Sequence, residues 1–154
     1  MIDAVAPALA APLAVFVRET RVRLALVLDS SGRVLGQHGF TRSLDVMSAC
    51  SLAAAIHASS AELGRQLSGT PFGPLHHAGT SLQLFMAPVA WHGRTLLLLA
   101  VFDGASSFGI VRLFWAEFAR RIADEAPPPL ATGSSAEDFE GDLDRNLAAL
   151  FGRR

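Results

Sequence analysis

The chain has 154 residues, of which 51% are hydrophobic and 18% charged, and its net charge is −1. That length is a prior for one domain, and the apolar share suffices for one sizeable core and excludes general disorder. All 13 basic residues are arginine, and the near-neutral balance removes the electrostatic warrant for binding nucleic acid or an anionic membrane. The single cysteine, Cys50, excludes an intramolecular disulfide and a cysteine-based zinc site. Met1-Ile2-Asp3 lacks the basic run of a secretory signal, and no apolar run is read as reaching the roughly 18–20 residues of a bilayer span. The expectation is a cytoplasmic protein with no membrane insertion.

A domain is expected over residues 8–126, followed by the Pro/Gly/Ser linker 127–135 (PPPLATGSS) and an amphipathic helix over 136–152. Within the domain, Leu9, Leu13, Phe16 and Val17 share one helical face, and Pro12 places the start of that helix near itself. Val22–Asp29 alternates as a strand, Asp29-Ser30-Ser31-Gly32 turns, and Arg33–Gly39 returns, which predicts a β-hairpin. Ser43–Ser68 is a long helix with Ser43 as its expected N-cap. Leu52, Ile56, Leu63 and Leu67 form one stripe on it, expected to face the core. Leu75–Gly79, Leu82–Val89 and Thr95–Phe102 read as strands, with His92-Gly93 as a hairpin turn. Thr95–Phe102 (TLLLLAVF) does not alternate, so both faces of the sheet should be covered. Ser106 or Ser107 caps a last helix whose apolar face is Phe108, Val111, Trp115, Phe118 and Ile122, with Glu117 and Arg121 as an expected ion pair. The element order is α-β-β-α-β-β-β-α.

Catalytic constellations are not apparent. No phosphate-binding loop occurs, and Gly32, Gly36 and Gly39 do not open a helix after a strand. His76 and His77 would point to opposite faces of a strand, a poor start for a metal site. His38, His57 and His92 read as ordinary surface or partly buried side chains, Ser30 and Ser31 as turn residues, and Cys50 as an inert buried thiol. We therefore expect no catalytic, metal or cofactor-binding residues and no enzymatic turnover.

Two features ask for a partner. On the long helix, Met47, Ala54, Ala58, Ala61 and Arg65 form a second stripe, small and mostly apolar, which would admit another helix closely. Self-association through those residues is the favoured reading over a helix sandwiched inside the monomer. In the tail, Phe139, Leu143, Leu147, Leu150 and Phe151 recur every three or four residues. A helix that short is marginal alone, so it docks either on its own domain or in a partner's groove.

Leu24–Gly39 (LALVLDSSGRVLGQHG), the alanine-rich long helix and Phe102–Phe114 (FDGASSFGIVRLF) together resemble the roadblock / dynein light chain domain. The resemblance covers about residues 8–125 and rests on apolar patterns rather than invariant chemistry. It implies a layered α+β, roadblock/profilin-like fold: a five-stranded antiparallel sheet with the long helix on one face and the terminal helices on the other. It also implies dimers built by pairing the long helices and the middle edge strands. Proteins of this family commonly regulate small Ras-like GTPases. Its bacterial MglB-type branch acts on an MglA-type GTPase in cell polarity or motility, in some members with a C-terminal helix touching the GTPase. Pro7 and Pro12 depart from the usual first helix, and no arginine stands out as a finger, so activation would work by positioning the GTPase's own groups. The other readings are a dimeric scaffold without kinetic effect, and a PAS- or profilin-like sensor, which a well-formed apolar cavity near Phe102, Trp115 and Phe118 would favour.

Overall fold

Leu24, Leu26 and Leu28 point to one side of a strand while Ala25 and Val27 point to the other, and all five are buried. A strand of that kind needs an apolar layer on each face. The computed structural model describes residues 6–39 and 45–124, and it supplies both layers. The elements are α1 (Ala10–Thr20, entered through a 3-10 turn at Pro7–Leu9), β1 (Leu24–Leu28), β2 (Val34–Gly39), α2 (Val46–Ser68), β3 (Leu75–Ala78), β4 (Gln83–Trp91), β5 (Arg94–Phe102) and α3 (Phe108–Ala123). The five strands form one sheet in the order β2-β1-β5-β4-β3, and all neighbours are antiparallel. This is the layered α+β architecture and element order that the sequence implies.

Helices α1 and α3 cover one face. Leu13 and Phe16 from α1 and Phe118 and Ile122 from α3 close over Val27, Phe85, Val89 and Leu98. Phe16 and Phe118 meet edge to face at 6.1 Å. Phe102 is fully buried on this side, and Trp115 packs against Phe85 and donates its indole N–H to the Pro88 carbonyl at 3.2 Å. The two prolines do not break α1. Pro7 lies in the entry turn and Pro12 in the first turn, where no intrahelical N–H donor is required.

Local chemistry fixes the connections. At the β1–β2 turn the Asp29 carboxylate accepts from Ser31 N–H at 3.0 Å, Ser31 Oγ at 2.7 Å, Arg33 N–H at 3.0 Å and Arg33 Nε at 3.1 Å. Burial alone would raise its pKa, but the Ser31 hydroxyl, the backbone donors and the Arg33 charge outweigh that and hold it below the usual value. In the β4–β5 hairpin, His92 and Gly93 both take positive φ (48° and 79°), the conformation of a two-residue type I′ turn. Ser107 caps α3, its hydroxyl accepting from Ile110 N–H.

Three local expectations need correction. The cap of α2 is Asp45, whose carboxylate accepts from Ser48 N–H, whereas Ser43 falls outside the described residues. Glu117 pairs with Arg120, three residues on, instead of with Arg121, four residues on. By length and composition alone α2 could cross a membrane, with 23 residues and a mean hydropathy of 1.2 over its most apolar window. It is, however, inserted between β2 and β3 of one sheet and packs on that sheet through its own side chains, so spanning a bilayer would dismantle the fold.

Candidate interaction surface

Small side chains decide how α2 lies. Cys50, Ala53, Ala61 and Gly64 are its buried residues. Cys50 and Ala53 meet Leu24, Leu26, Leu28, Met86, Leu97 and Leu99 of the sheet. Gly64 is required by a close approach: a Cβ there would stand 2.4 Å from the Phe72 nitrogen and 2.8 Å from the Thr70 carbonyl oxygen. The chain leaving α2 thus folds back directly over the helix. Burial pushes the Cys50 thiol pKa up, which keeps it protonated and unreactive.

The leucine stripe is consequently not the core face. At 100° per residue it sits about 110° around the helix from the small buried residues. Leu52 is 64% exposed, Ile56 39%, Leu63 51% and Leu67 70%. Phe72, beside Gly64, and Leu82 are also exposed. The expectation that the stripe faces the core is overturned, because residues without bulk allow the helix to sit close to the sheet while leucines at that face would hold it away.

The residues expected at a dimer seam are split by the structure. Ala61 is buried and Ala54 packs at the margin of the layer between α2 and the sheet. Met47, Ala58 and Arg65 are exposed, and Arg65 bonds Glu62 at 3.0 Å. Ala54 and Ala58 line a pocket of about 130 Å³ with Asp29, Ser30, His57, Thr95, Leu96 and Leu97. Its volume is well below the several hundred Å³ of a usual small-molecule site. Burial lowers the His57 pKa, so the imidazole there is neutral. A second cleft, of about 440 Å³ and broadly open, lies between the end of α1 and the start of α3, lined by Glu19, Thr20, Arg21, Ser106, Ser107 and Ile110 among others. No group of three or more potential metal ligands occurs among the described residues.

The sheet edges complete the surface. Among the described residues strand β3 pairs only with Gln83–Met86 of β4, and its His76, His77 and Ala78 are exposed. The expected divergence of the histidine pair holds to this extent: His76 turns toward α3, where its ring stacks on Phe108 at 4.5 Å. Its Nε2–H donates to Gln83 Oε1 at 2.8 Å. The tail residues Phe139, Leu143, Leu147, Leu150 and Phe151 lie outside the described residues. Sequence reasoning missed the leucine stripe as a surface and missed the His76 cluster. Gly64, in mid-helix and aligned with the alanines, was the available signal for the first.

No protein-family model matches the sequence, and no curated protein is significantly similar to it. Solved structures are similar. The gliding protein MglB of Thermus thermophilus shares 25% identity, with a TM-score of 0.67, 79% of this chain and 90% of that one covered. An MglB with a tetrameric arrangement shares 27% identity, with a TM-score of 0.64 and coverages of 73% and 83%. A roadblock/LC7 domain from Streptomyces avermitilis matches at a TM-score of 0.60 and 16% identity, covering 70% of this chain and 88% of that one. With its five-stranded antiparallel sheet and its helices divided between two faces, the chain has a roadblock-type fold of the MglB kind.

Proposed function

We propose that this protein is a cytoplasmic, self-associating regulator that binds a small Ras-like GTPase of the MglA type and modulates its nucleotide cycle in cell polarity or motility. The observation that carries the reading is an MglB-like fold whose long helix exposes an apolar flank, Leu52, Ile56, Leu63 and Leu67, that no other described element packs against. Such a contiguous apolar surface marks an interaction site. The tetrameric arrangement of one MglB supports self-association, and the gliding role of another supports motility. The dimer is two-fold, with paired α2 helices and paired β3 edges, and its seam lies on the leucine flank, with exposed Met47, Ala58 and Arg65 on the opposite flank as the competing location. The tail stripe around Leu143 and Leu147 adds affinity for the GTPase.

The test is GTP turnover and labelled-GDP release by the cognate GTPase, alone and with this protein. A change in either rate is expected, while the protein alone leaves GTP intact. Binding with neither rate altered would make it a scaffold, and absence of binding would overturn the reading.

A further inference from the structure

We propose that His76 is a positioning residue: its side chain latches the edge strand β3 to the body of the protein and so presets that edge for pairing with a second copy of the chain. The inference rests on the self-association reading above and names the residue that governs it.

Strand β3 is poorly anchored by its own composition. It has four residues, three of them exposed, and a ladder on one side only. Short two-stranded pairing of this kind is marginal without side-chain support. His76 supplies the support although it is itself exposed. Its ring lies nearly parallel to Phe108 (4.5 Å, 19°) and to Phe102 (6.1 Å, 13°). Its Nε2–H reaches Gln83 rather than its register partner Phe85, a diagonal contact two residues along β4. One side chain thus joins β3 to β4, to β5 through Phe102 and to the first turn of α3 through Phe108.

The edge so held is suited to a copy of itself. Leu75-His76-His77-Ala78 has no charged residue and no proline, the usual means of blocking edge pairing. Past β3, Pro88 interrupts the open edge of β4. On this side of the sheet the competent edge is therefore confined to β3, at the end opposite the β2 edge, and antiparallel pairing of a strand with itself generates the two-fold symmetry of an isologous dimer. Phe72, on the connection from α2 and packed against Gly64, makes this edge continuous with the exposed apolar flank. A four-residue strand that had to be ordered during association would spend the pairing energy on that ordering, and the latch removes this cost beforehand.

The experiment compares wild type, His76→Ala, His76→Phe and Phe108→Leu in the full chain, by amide exchange of residues 75–78 and by sedimentation equilibrium. Loss of the stack and the hydrogen bond should accelerate β3 exchange in His76→Ala about tenfold. Its dissociation constant should rise by a similar factor with the melting temperature little changed, and His76→Phe, which restores a ring on Phe108, should recover most of both. Phe108→Leu, altering the other half of the stack, should open β3 in the same way and serves as the check if His76→Ala does not fold. Unchanged β3 exchange in both variants refutes the latch whatever the oligomeric state. Faster exchange with unchanged association refutes the positioning role. A wild type that is monomeric at every concentration overturns the self-association reading and this proposal with it, and the exchange data then report separately on whether His76 holds β3.

Discussion

Replacing Leu63 by aspartate decides which flank of α2 meets the partner. Leu63 is 51% exposed in the monomer, so covering it in a dimer recovers about half of the ~1.5–3 kcal/mol available to a buried leucine. That is about 1 kcal/mol per copy and, counted twice across a two-fold axis, about 2 kcal/mol per dimer. Losing it weakens association roughly 30-fold. A carboxylate trapped in an apolar seam adds further desolvation cost, so the measured loss should exceed that value. The monomer should be indifferent, because an exposed leucine contributes little to its stability, and thermal melts of dilute protein should agree within a degree or two. Sedimentation equilibrium gives the dissociation constants, and Ala58→Arg, on the opposite flank, is the internal comparison. A dissociation constant for Leu63→Asp within twofold of wild type refutes the argument, and disruption by Ala58→Arg alone would move the seam to the alanine side.

The remaining predictions concern packing, protonation and the tail. Gly64→Ala places a methyl 2.4 Å from a backbone nitrogen that cannot yield cheaply, so despite the better helix propensity it should destabilise by about 1–3 kcal/mol in denaturant melts. Burial lowers the His57 pKa in the folded protein, so the unfolded chain binds more protons just below the usual value near 6.5. Stability should therefore fall as pH drops through that value toward the folded pKa, and His57→Gln should flatten that slope in pH-dependent melts, leaving the part due to His38, which burial lowers in the same sense. Deleting residues after about 130 should leave a folded, self-associating domain with a weakened GTPase response, and Leu143→Asp with Leu147→Asp should reproduce the deletion. A lost cooperative melt would instead make the tail part of the core.

What was legible in the sequence is what periodicity and turn chemistry encode. Asp29-Ser30-Ser31-Gly32 announced a turn because its side chain and glycine carry their own geometry, and Gly32 takes a φ of 92°. The unbroken apolar run at Thr95–Phe102 announced a strand covered on both faces, and β5 is the central strand. The orientation of α2 was not legible by the same method. Its two apolar stripes differ in size rather than polarity, and a hydrophobic pattern reports that a face avoids water without saying whether the cover comes from its own sheet or from another molecule. Bulk decides between them, since Gly64 and Ala61 permit contact that Leu63 and Leu67 would prevent. The His76 stack was hidden for a different reason: it joins residues 32 positions apart that only the sheet and α3 bring together, so no local spacing could show it.

The place of β5 also shapes how the chain folds. Its pairing with β4 is local, closed by the two residues His92 and Gly93, whereas its pairing with β1 joins Leu24 to Val101 across most of the domain. Loop-closure entropy delays the second far more than the first, so the β4–β5 hairpin is the natural nucleus and the β1–β2 hairpin docks onto it late. Until it does, one edge of the most apolar strand stands open, with neither charge nor proline between Thr95 and Phe102 to discourage a foreign strand. The same uninterrupted leucines that make β5 the centre of the finished sheet make it the segment through which crowded, half-folded chains would aggregate.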